Sequence, residues 1–196
     1  MSTQNIIRCD DPALCAAQVA EYLKLPGAVA LVPTETVYGL VARVSDESAY
    51  KRIFELKQRS SAKVLGWFVY DWHELAVRGI KLEGLPEKLA EKYCPGPITI
   101  IAPDSEGRTL GFRSPAHPFL RELLKLTGPL FQTSANLSGH PDPKDVQSAL
   151  KELSGAPAIA VDGGVLPENA CGSTVVDATG SELKILRQGA LEVTLP

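Results

Sequence analysis

Short apolar runs alternate along the chain with segments in which apolar residues recur every three or four positions. The runs at residues 28–32 and 98–102 are continuous, as in strands that are buried on both faces. Apolar residues at helical spacing occur over residues 16–23 and 46–57. This alternation predicts an α/β fold with a mixed sheet.

The same pattern predicts where most elements lie. Strands are expected at residues 5–9, 28–32, 64–70, 98–102, 130–133, 158–161, 174–177 and 183–186, with one more ending at Arg113. Helices are expected after Asp11-Pro12, over 46–57, 86–93 and 119–127, and from Asp142-Pro143 to about Leu153. In both Asp-Pro pairs the aspartate can cap a helix, and proline lacks the N–H that would be unpaired there.

Length and charge narrow the class of protein. The chain has 196 residues, which predicts a single domain over residues 1–196. Its net charge of −3 argues against a broadly basic nucleic-acid-binding protein, although a local basic cleft is compatible with it. Because no apolar run reaches the ~18 residues of a membrane span and no signal peptide is evident, we expect a cytoplasmic protein. The four cysteines form no C-x-x-C pair, which favours ordinary thiols over zinc or disulfides.

Polar clusters follow several predicted strands, whereas the common nucleotide-binding, zinc-protease and serine-hydrolase motifs are absent. The clusters at residues 33–40 and 133–139 each follow a buried run, and ligands of α/β sheets tend to lie at such strand ends. Small hydroxyl and amide side chains can bind an anion there. A capped turn would explain the same residues.

Basic side chains that could bind an anion occur in one cluster and at two further strand ends. Lys57, Arg59 and Lys63 lie near the end of the second predicted helix, where they would suit the helix dipole or clamp phosphates. Arg113 and Arg187 each end a predicted strand. Either one could hold a carboxylate or phosphate or form a surface salt bridge.

Together these segments resemble the YrdC family, and within it the short bacterial synthases of the TsaC type. The combination of PTET, K-x-R and TSAN-x-SG is specific to that family. The matching segments follow the family order from residue 33 to residue 189: PTETVYGL (33–40), LKQR (56–59) with Lys63 and Leu65 downstream, PGPIT (95–99), Arg113, His117-Pro118, TSANLSG (133–139) and LRQG (186–189).

The resemblance implies a twisted, open, mixed sheet flanked by helices, with a concave, positively charged cleft and no additional C-terminal domain. It implies the synthesis of threonylcarbamoyl-adenylate and pyrophosphate from L-threonine, bicarbonate and ATP, with Mg²⁺ and with no metal ligand from the protein. The product would pass to a transferase complex that modifies adenosine-37 of tRNA. Binding of tRNA or double-stranded RNA is compatible with such a cleft.

The resemblance also implies roles for individual residues. Catalysis at the phosphates falls to Lys57 and Arg59. The nucleotide would be held by these two residues with Asn136 and Arg187. L-Threonine would be held by Thr34, Arg113, Ser134 and Ser173. Less certain lining positions are Lys63 and Thr109.

This sequence departs from the family at two positions, because Ser60 and Val64 stand where many relatives have proline. A catalytically silent paralogue is therefore one alternative. A factor that binds double-stranded RNA is another, although the net charge and the lack of an aromatic stacking platform argue against it. A synthase of carbamoyl-adenylate for hydrogenase maturation would need further modules, for which this chain has no room.

Overall fold

The computed structural model describes residues 5–58, 64–80, 82–104 and 106–194. These residues form one sheet, five α-helices and a 3₁₀ helix (Trp72–Arg78). The strands are β1 (Ile6–Arg8), β2 (Ala30–Val32), β3 (Gly39–Arg43), β4 (Gly66–Phe68), β5 (Ile98–Pro103), β6 (Thr109–Arg113), β7 (Leu130–Ser134), β8 (Ile159–Asp162), β9 (Thr174–Asp177) and β10 (Lys184–Arg187). The helices are α1 (Pro12–Tyr22), α2 (Glu47–Lys57), α3 (Leu85–Tyr93), α4 (Pro118–Thr127) and α5 (Val146–Glu152).

The sheet is open and mixed. Its strands lie in the order β1-β8-β2-β3-β7-β4-β6-β5-β9-β10. The pairs β1–β8, β2–β8, β4–β6 and β5–β9 are parallel, and the other five neighbouring pairs are antiparallel. The predicted twisted mixed sheet with flanking helices is therefore confirmed.

Helices cover both faces of the first half of the sheet. Ala30 and Val32 of β2 pack with α1 and α4, whereas Leu31 belongs to the apolar cluster of α2 and α5. Successive side chains of a strand point to opposite faces, so this strand is buried on both sides. That burial explains why residues 28–32 are continuously apolar.

The predicted cap of the first helix is confirmed. Asp11 Oδ1 accepts hydrogen bonds from the Ala13 and Leu14 amides at 2.9 and 3.1 Å, and Pro12 is the first helical residue. These bonds satisfy two of the amides that a helix N-terminus leaves unpaired.

The predicted cap of the last helix is wrong. Helix α5 begins at Val146, after Asp145, and not after Asp142. Asp145 accepts from the Ser148 amide at 2.7 Å, and the Ser148 side chain accepts from the Asp145 amide at 3.2 Å. This reciprocal pair is a capping box, and it satisfies the amides of both Asp145 and Ser148. Asp142 lines a cavity instead.

Strand β3 is not predicted by the sequence pattern, which suggests only a turn after β2. It lies between β2 and β7, with Leu40 opposite both Leu31 and Thr133. Its residues Gly39 to Ala42 are all buried, so they show no polar alternation, and the polar motif before them hides their start. Gly39 is needed here because a Cβ would lie 3.0 Å from the Thr133 carbonyl oxygen.

In the described part of the chain no helix is long and apolar enough to cross a membrane. The four cysteines are free thiols, and Cys15 lies on the buried face of α1. Burial and the neighbouring Cys9 thiol raise the pKa of Cys15 to about 12, so this thiol stays protonated at neutral pH.

Candidate functional site

A polar cavity of about 370 Å³ lies over one face of the sheet, where the ends of several strands meet. Alternation along the strands builds its floor: Thr109, Gly111 and Arg113 of β6 face the cavity, whereas Leu110 and Phe112 face the core. Six of the residues that the sequence predicts for the site line this one cavity: Thr34, Thr109, Arg113, Ser134, Ser173 and Arg187.

The loop after β2 places two threonine hydroxyls at the cavity. Thr34 Oγ1 accepts from the amides of Thr36 and Val37 at 3.0 and 3.1 Å and donates to the Val37 carbonyl at 2.7 Å. A hydroxyl carries one proton, so the Thr36 hydroxyl is the donor in its 2.9 Å bond to Thr34. The predicted capped turn and the predicted ligand site are thus the same structure.

Arg113 is buried although it lines the cavity, with 4% of its surface exposed. Its Nη1 donates to Thr36 Oγ1 at 3.0 Å, and its Nη2 lies 2.7 Å from Glu35 Oε1. The N–H bonds of Nη2 do not point at that oxygen, so this contact is an ion pair and not a directional hydrogen bond. The guanidinium also lies 5.6 Å above the Phe68 ring.

The chain just after Arg113 is held from several sides. The Ser114 hydroxyl donates to the Tyr70 carbonyl at 2.9 Å, and the Ser114 carbonyl accepts from the Gly96 amide at 2.8 Å. Arg121 of α4 donates to the same Tyr70 carbonyl and to Ser114 Oγ, and its guanidinium stacks 3.8 Å from the Tyr70 ring. The position of Arg113 is therefore fixed by its backbone as well as by its ion pair.

Two titratable side chains near Arg113, beside the part of the lining that we call the Arg113 wall, have shifted pKa values. Burial alone would raise the pKa of Glu35, but the Arg113 charge and the Ala116 amide outweigh it, so the pKa is lowered and Glu35 is ionised. Burial lowers the pKa of His117, which keeps its imidazole neutral near pH 7. His117 Nδ1 is buried and makes no hydrogen bond to any described residue.

A second part of the lining, which we call the Arg187 wall, carries Ser173 and Arg187. Ser173 Oγ is 2.7 Å from Thr99 Oγ1, and the Ser173 carbonyl accepts from Arg187 Nε and Nη2 at 3.1 and 2.9 Å. The pairing of β10 with β9 shifts its register between Ile185 and Arg187, a bulge that redirects the following side chain. This bulge accounts for Arg187 reaching the cavity from an edge strand.

Two glycines let the last segment of the chain approach this wall. A Cβ on Gly189 would lie 2.2 Å from the Gly172 carbonyl oxygen, and a Cβ on Gly172 would lie 2.9 Å from Arg187 Nη2. The Gly189 amide donates to Thr174 Oγ1 at 3.0 Å. The glycine of the LRQG motif is thus required by close packing of backbone on backbone.

Lys57 and Asn136, which the sequence predicts as nucleotide ligands, lie next to the cavity and not among its lining residues. Lys57 ends α2 with 2% of its surface exposed and donates to the Ser134 carbonyl and, at 3.3 Å, to Asn136 Oδ1. Asn136 Oδ1 also accepts from Ser134 Oγ at 2.5 Å. The K-x-R and TSAN motifs therefore meet through direct contacts, and their phosphate-binding role stays a prediction.

Arg59 and Lys63 lie outside the described residues. Val64, where relatives have proline, is 68% exposed and lines the cavity. Of the two arginines in the described lining, Arg113 is already paired with Glu35, and Asp142 adds a negative charge. The positive potential of the cleft stays a prediction.

Sequence reasoning missed Thr99 as a contributor, whereas Thr36 and Tyr38 belong to the polar cluster at residues 33–40 that it predicts as a ligand site. Thr99 and Thr36 are buried hydroxyls in contact with predicted ligand residues. Tyr38, in the same motif as Thr36, accepts from the Gly163 amide at 3.0 Å and donates to the Gly164 carbonyl at 2.7 Å. The signal for Thr99 was a hydroxyl side chain within the apolar run at residues 98–102.

The ten-stranded mixed sheet and the cavity lined by hydroxyls and guanidinium groups define an α/β protein with a site for small polar ligands. The family pattern of Sua5/YciO/YrdC, described as telomere recombination, matches residues 24–189. The chain belongs to this family, which confirms the resemblance found in its motifs.

Relatives and a solved structure agree with this placement. A putative threonylcarbamoyl-AMP synthase of Mycobacterium tuberculosis is 34% identical over 83% of this chain and 79% of its own length. The threonylcarbamoyl-AMP synthase of Pyrococcus abyssi is 36% identical over 84% of this chain and 51% of its own. The crystal structure of P. abyssi Sua5 complexed with L-threonine matches with a TM-score of 0.84 and 31% identity, over 97% of this chain and 58% of that chain.

Proposed function

We propose that the protein is a threonylcarbamoyl-AMP synthase, which forms threonylcarbamoyl-adenylate and pyrophosphate from L-threonine, bicarbonate or CO2, and ATP. The observation that carries the proposal is the convergence of Thr34, Arg113, Ser134 and Ser173 on one cavity from four separate strand ends. The names of the relatives and the L-threonine complex of P. abyssi Sua5 support it.

These four residues suit an amino acid as ligand. Hydroxyl groups can donate to or accept from the threonine hydroxyl and can accept from its ammonium group. The planar guanidinium of Arg113 suits a carboxylate. The cavity of about 370 Å³ falls within the range of small-molecule sites.

The proposed reaction ends in nucleotidyl transfer. The deprotonated threonine nitrogen forms a bond to the carbon of CO2 and loses a proton, which gives a carbamate; with bicarbonate, a C–O bond of that carbon breaks and the oxygen leaves as water. A carbamate oxygen then attacks the α-phosphorus of ATP, the bond to the bridging oxygen breaks, and pyrophosphate leaves. Such a step depends mainly on positioning and charge neutralisation, which fits a site of hydroxyls and cations.

We propose that Arg187 and Asn136 hold the nucleotide and that Lys57 and Arg59 face its phosphates. The 3.3 Å contact of Lys57 with Asn136 is longer than an ordinary charge-assisted hydrogen bond. A phosphate oxygen could therefore replace Asn136 as a partner of the ammonium group. The bond of Lys57 to the Ser134 carbonyl would keep the side chain in place.

Magnesium would enter this site as the ATP complex. The described residues contain no group of three or more metal-ligating side chains, and the one carboxylate in the described lining is Asp142. Mg²⁺ commonly binds through one or two carboxylates together with substrate phosphates, so Asp142 fits as a contributing ligand. The ion would neutralise charge on the phosphates.

The product is a mixed anhydride of a carbamic acid and AMP, which is an activated acyl donor. We propose that it passes to a transferase complex that modifies adenosine-37 of tRNA, and that this takes place in the cytoplasm.

The first test is incubation of the purified protein with ATP, Mg²⁺ and bicarbonate, with and without L-threonine. Release of pyrophosphate and formation of the adenylate that need both threonine and bicarbonate are expected. Lys57→Ala should abolish product formation with the fold retained, whereas Lys51→Ala, an exposed lysine of the same helix, should be as active as the unaltered protein.

A folded protein that binds ATP but releases no pyrophosphate in response to threonine would contradict the proposal. Binding of double-stranded RNA, measured as a function of salt concentration, would then test the RNA-binding alternative.

A further inference from the structure

Glu35 points away from the cavity that its two neighbours line. Thr34 and Thr36 both belong to the lining, whereas Glu35 does not and lies half-buried against Arg113 and Ala116. Its Oε2 atom is enclosed and has no hydrogen-bond partner among the described residues.

The other carboxylate oxygen joins two segments of the chain to its own. Glu35 Oε1 lies 2.7 Å from Arg113 Nη2 and accepts from the Ala116 amide at 2.9 Å. Glu35 itself belongs to the loop after β2, Arg113 ends β6, and Ala116 precedes α4. The Glu35 carboxylate therefore holds the loop after β2, which carries Thr34 and Thr36, against the end of β6, which carries Arg113.

The effect of Glu35 extends through the arginine to the cavity. Arg113 Nη1 donates to Thr36 Oγ1 at 3.0 Å, and the Thr36 hydroxyl donates to Thr34 Oγ1 at 2.9 Å. Because Arg113 donates to the Thr36 oxygen and the Thr34 proton is bound to the Val37 carbonyl, the Thr36 proton is directed at Thr34 Oγ1. A guanidinium that turned on its axis would release the Thr36 hydroxyl, which lines the cavity, whereas Thr34 would keep its bonds within the turn.

We infer that Glu35 is a positioning residue: it fixes the Arg113 guanidinium and, through it, the Thr36 hydroxyl, so that both are preset for the amino-acid substrate. The naming of that substrate as L-threonine rests on the proposed function. The placement of Arg113 by Glu35 does not depend on it.

The placement can be tested without any enzymatic activity. In the unaltered protein the Arg113 Nε–H group is enclosed, and we expect an NMR signal with slow solvent exchange and low mobility. In Glu35→Gln the same signal should show faster exchange and a reduced heteronuclear NOE. Equal exchange and equal NOE in the two proteins would overturn the inference, whether or not the protein makes an adenylate.

The functional consequence is tested by the steady-state kinetics of pyrophosphate release. Glu35→Gln should raise the KM for L-threonine about tenfold or more, as expected when a charge-assisted contact is lost, and should leave the KM for ATP unchanged. Glu35→Asp, which keeps the charge, should recover part of the loss. Glu91→Gln, the same chemical change at an exposed helix position, is the matched control.

Other results would contradict the inference. A KM for L-threonine that stays unchanged in Glu35→Gln would show that Arg113 does not need Glu35. Equal increases in both KM values, with no recovery in Glu35→Asp, would show a general structural defect. An unaltered protein that releases no pyrophosphate would contradict the proposed function, and the NMR comparison would then decide the role of Glu35 alone.

Discussion

Arg113 and Arg187 line two different parts of one cavity, and each ends a strand, but their surroundings differ. Arg113 is buried and has a carboxylate partner in Glu35. Arg187 is exposed, its partner is the neutral Ser173 carbonyl, and no carboxylate of the described residues lies within 4 Å of it. The same type of side chain is thus a buried cation whose charge is balanced by a carboxylate on one wall, and an exposed cation without a carboxylate partner among the described residues on the other.

The difference follows from the cost of removing a charge from water. A buried guanidinium needs a paired carboxylate, whereas an exposed one keeps its hydration until a ligand arrives. We conclude that the Arg113 wall is suited to place polar groups accurately and that the Arg187 wall is suited to attract an anion. Four substitutions would break or sharpen this comparison.

The largest expected effect is on stability. Arg113→Met would leave Glu35 buried without its partner, so the free energy of unfolding should fall by about 3–5 kcal/mol. Urea unfolding at pH 7 measures the change. The double variant Arg113→Met/Glu35→Leu should recover much of it, and no recovery would mean that the ion pair is not the cause.

A substitution on the other wall should weaken the binding of ATP and cost less stability than Arg113→Met. Arg187→Met removes an exposed cation, so the KM for ATP should rise about 10- to 100-fold, the range expected for a lost hydrogen bond to a charged group. The free energy of unfolding should fall by about 1–3 kcal/mol, because two hydrogen bonds to one carbonyl are lost. A loss of stability as large as that of Arg113→Met would remove the distinction between the walls.

The carboxylate partner should make only the Arg113 wall sensitive to acid. The pKa of Glu35 is lowered in the folded protein, so its contribution to stability is complete above the unfolded value of about 4.3 and is lost as the pH falls through the lowered value. Unfolding by urea from pH 7 to pH 3 should show a steeper loss in the unaltered protein than in Glu35→Gln. Parallel curves would contradict the pairing.

The smallest expected effect comes from Gly172→Ala. Its Cβ would lie 2.9 Å from Arg187 Nη2, and the flexible end of the arginine can move aside. A displaced rotamer should raise the KM for ATP about two- to tenfold with little change in stability. An unchanged KM would show that the position of the Arg187 head does not matter for the nucleotide.

Sequence patterns predicted the elements whose structure depends on local interactions or on a continuous run of buried residues. The Asp11 cap and the buried strand β2 depend on short-range bonds and on continuous burial, and both were predicted. Strand β3 was missed because its buried residues carry no alternation. The start of α5 was misplaced because Asp142 and Asp145 are equally good caps in sequence, and only the Ser148 contacts distinguish them.

Part of the cavity lining could be predicted, but the orientations of its side chains could not. Motifs located Thr34 and Arg113, but no sequence pattern shows that Glu35 lies outside the lining while both of its neighbours belong to it. Likewise, Lys57 reaches Asn136 across 79 residues of sequence. Such contacts depend on the order of the strands, which local spacing does not encode.

The order of the strands also has a consequence for synthesis on the ribosome. The first strand, β1, pairs with β8, and Ile6 lies opposite Ala160. At roughly 5–20 residues per second, the intervening 154 residues take on the order of 8–30 seconds to emerge. During that interval β1 and one edge of β2 have no partner, so the nascent chain presents unpaired strand edges that would be expected to attract a chaperone.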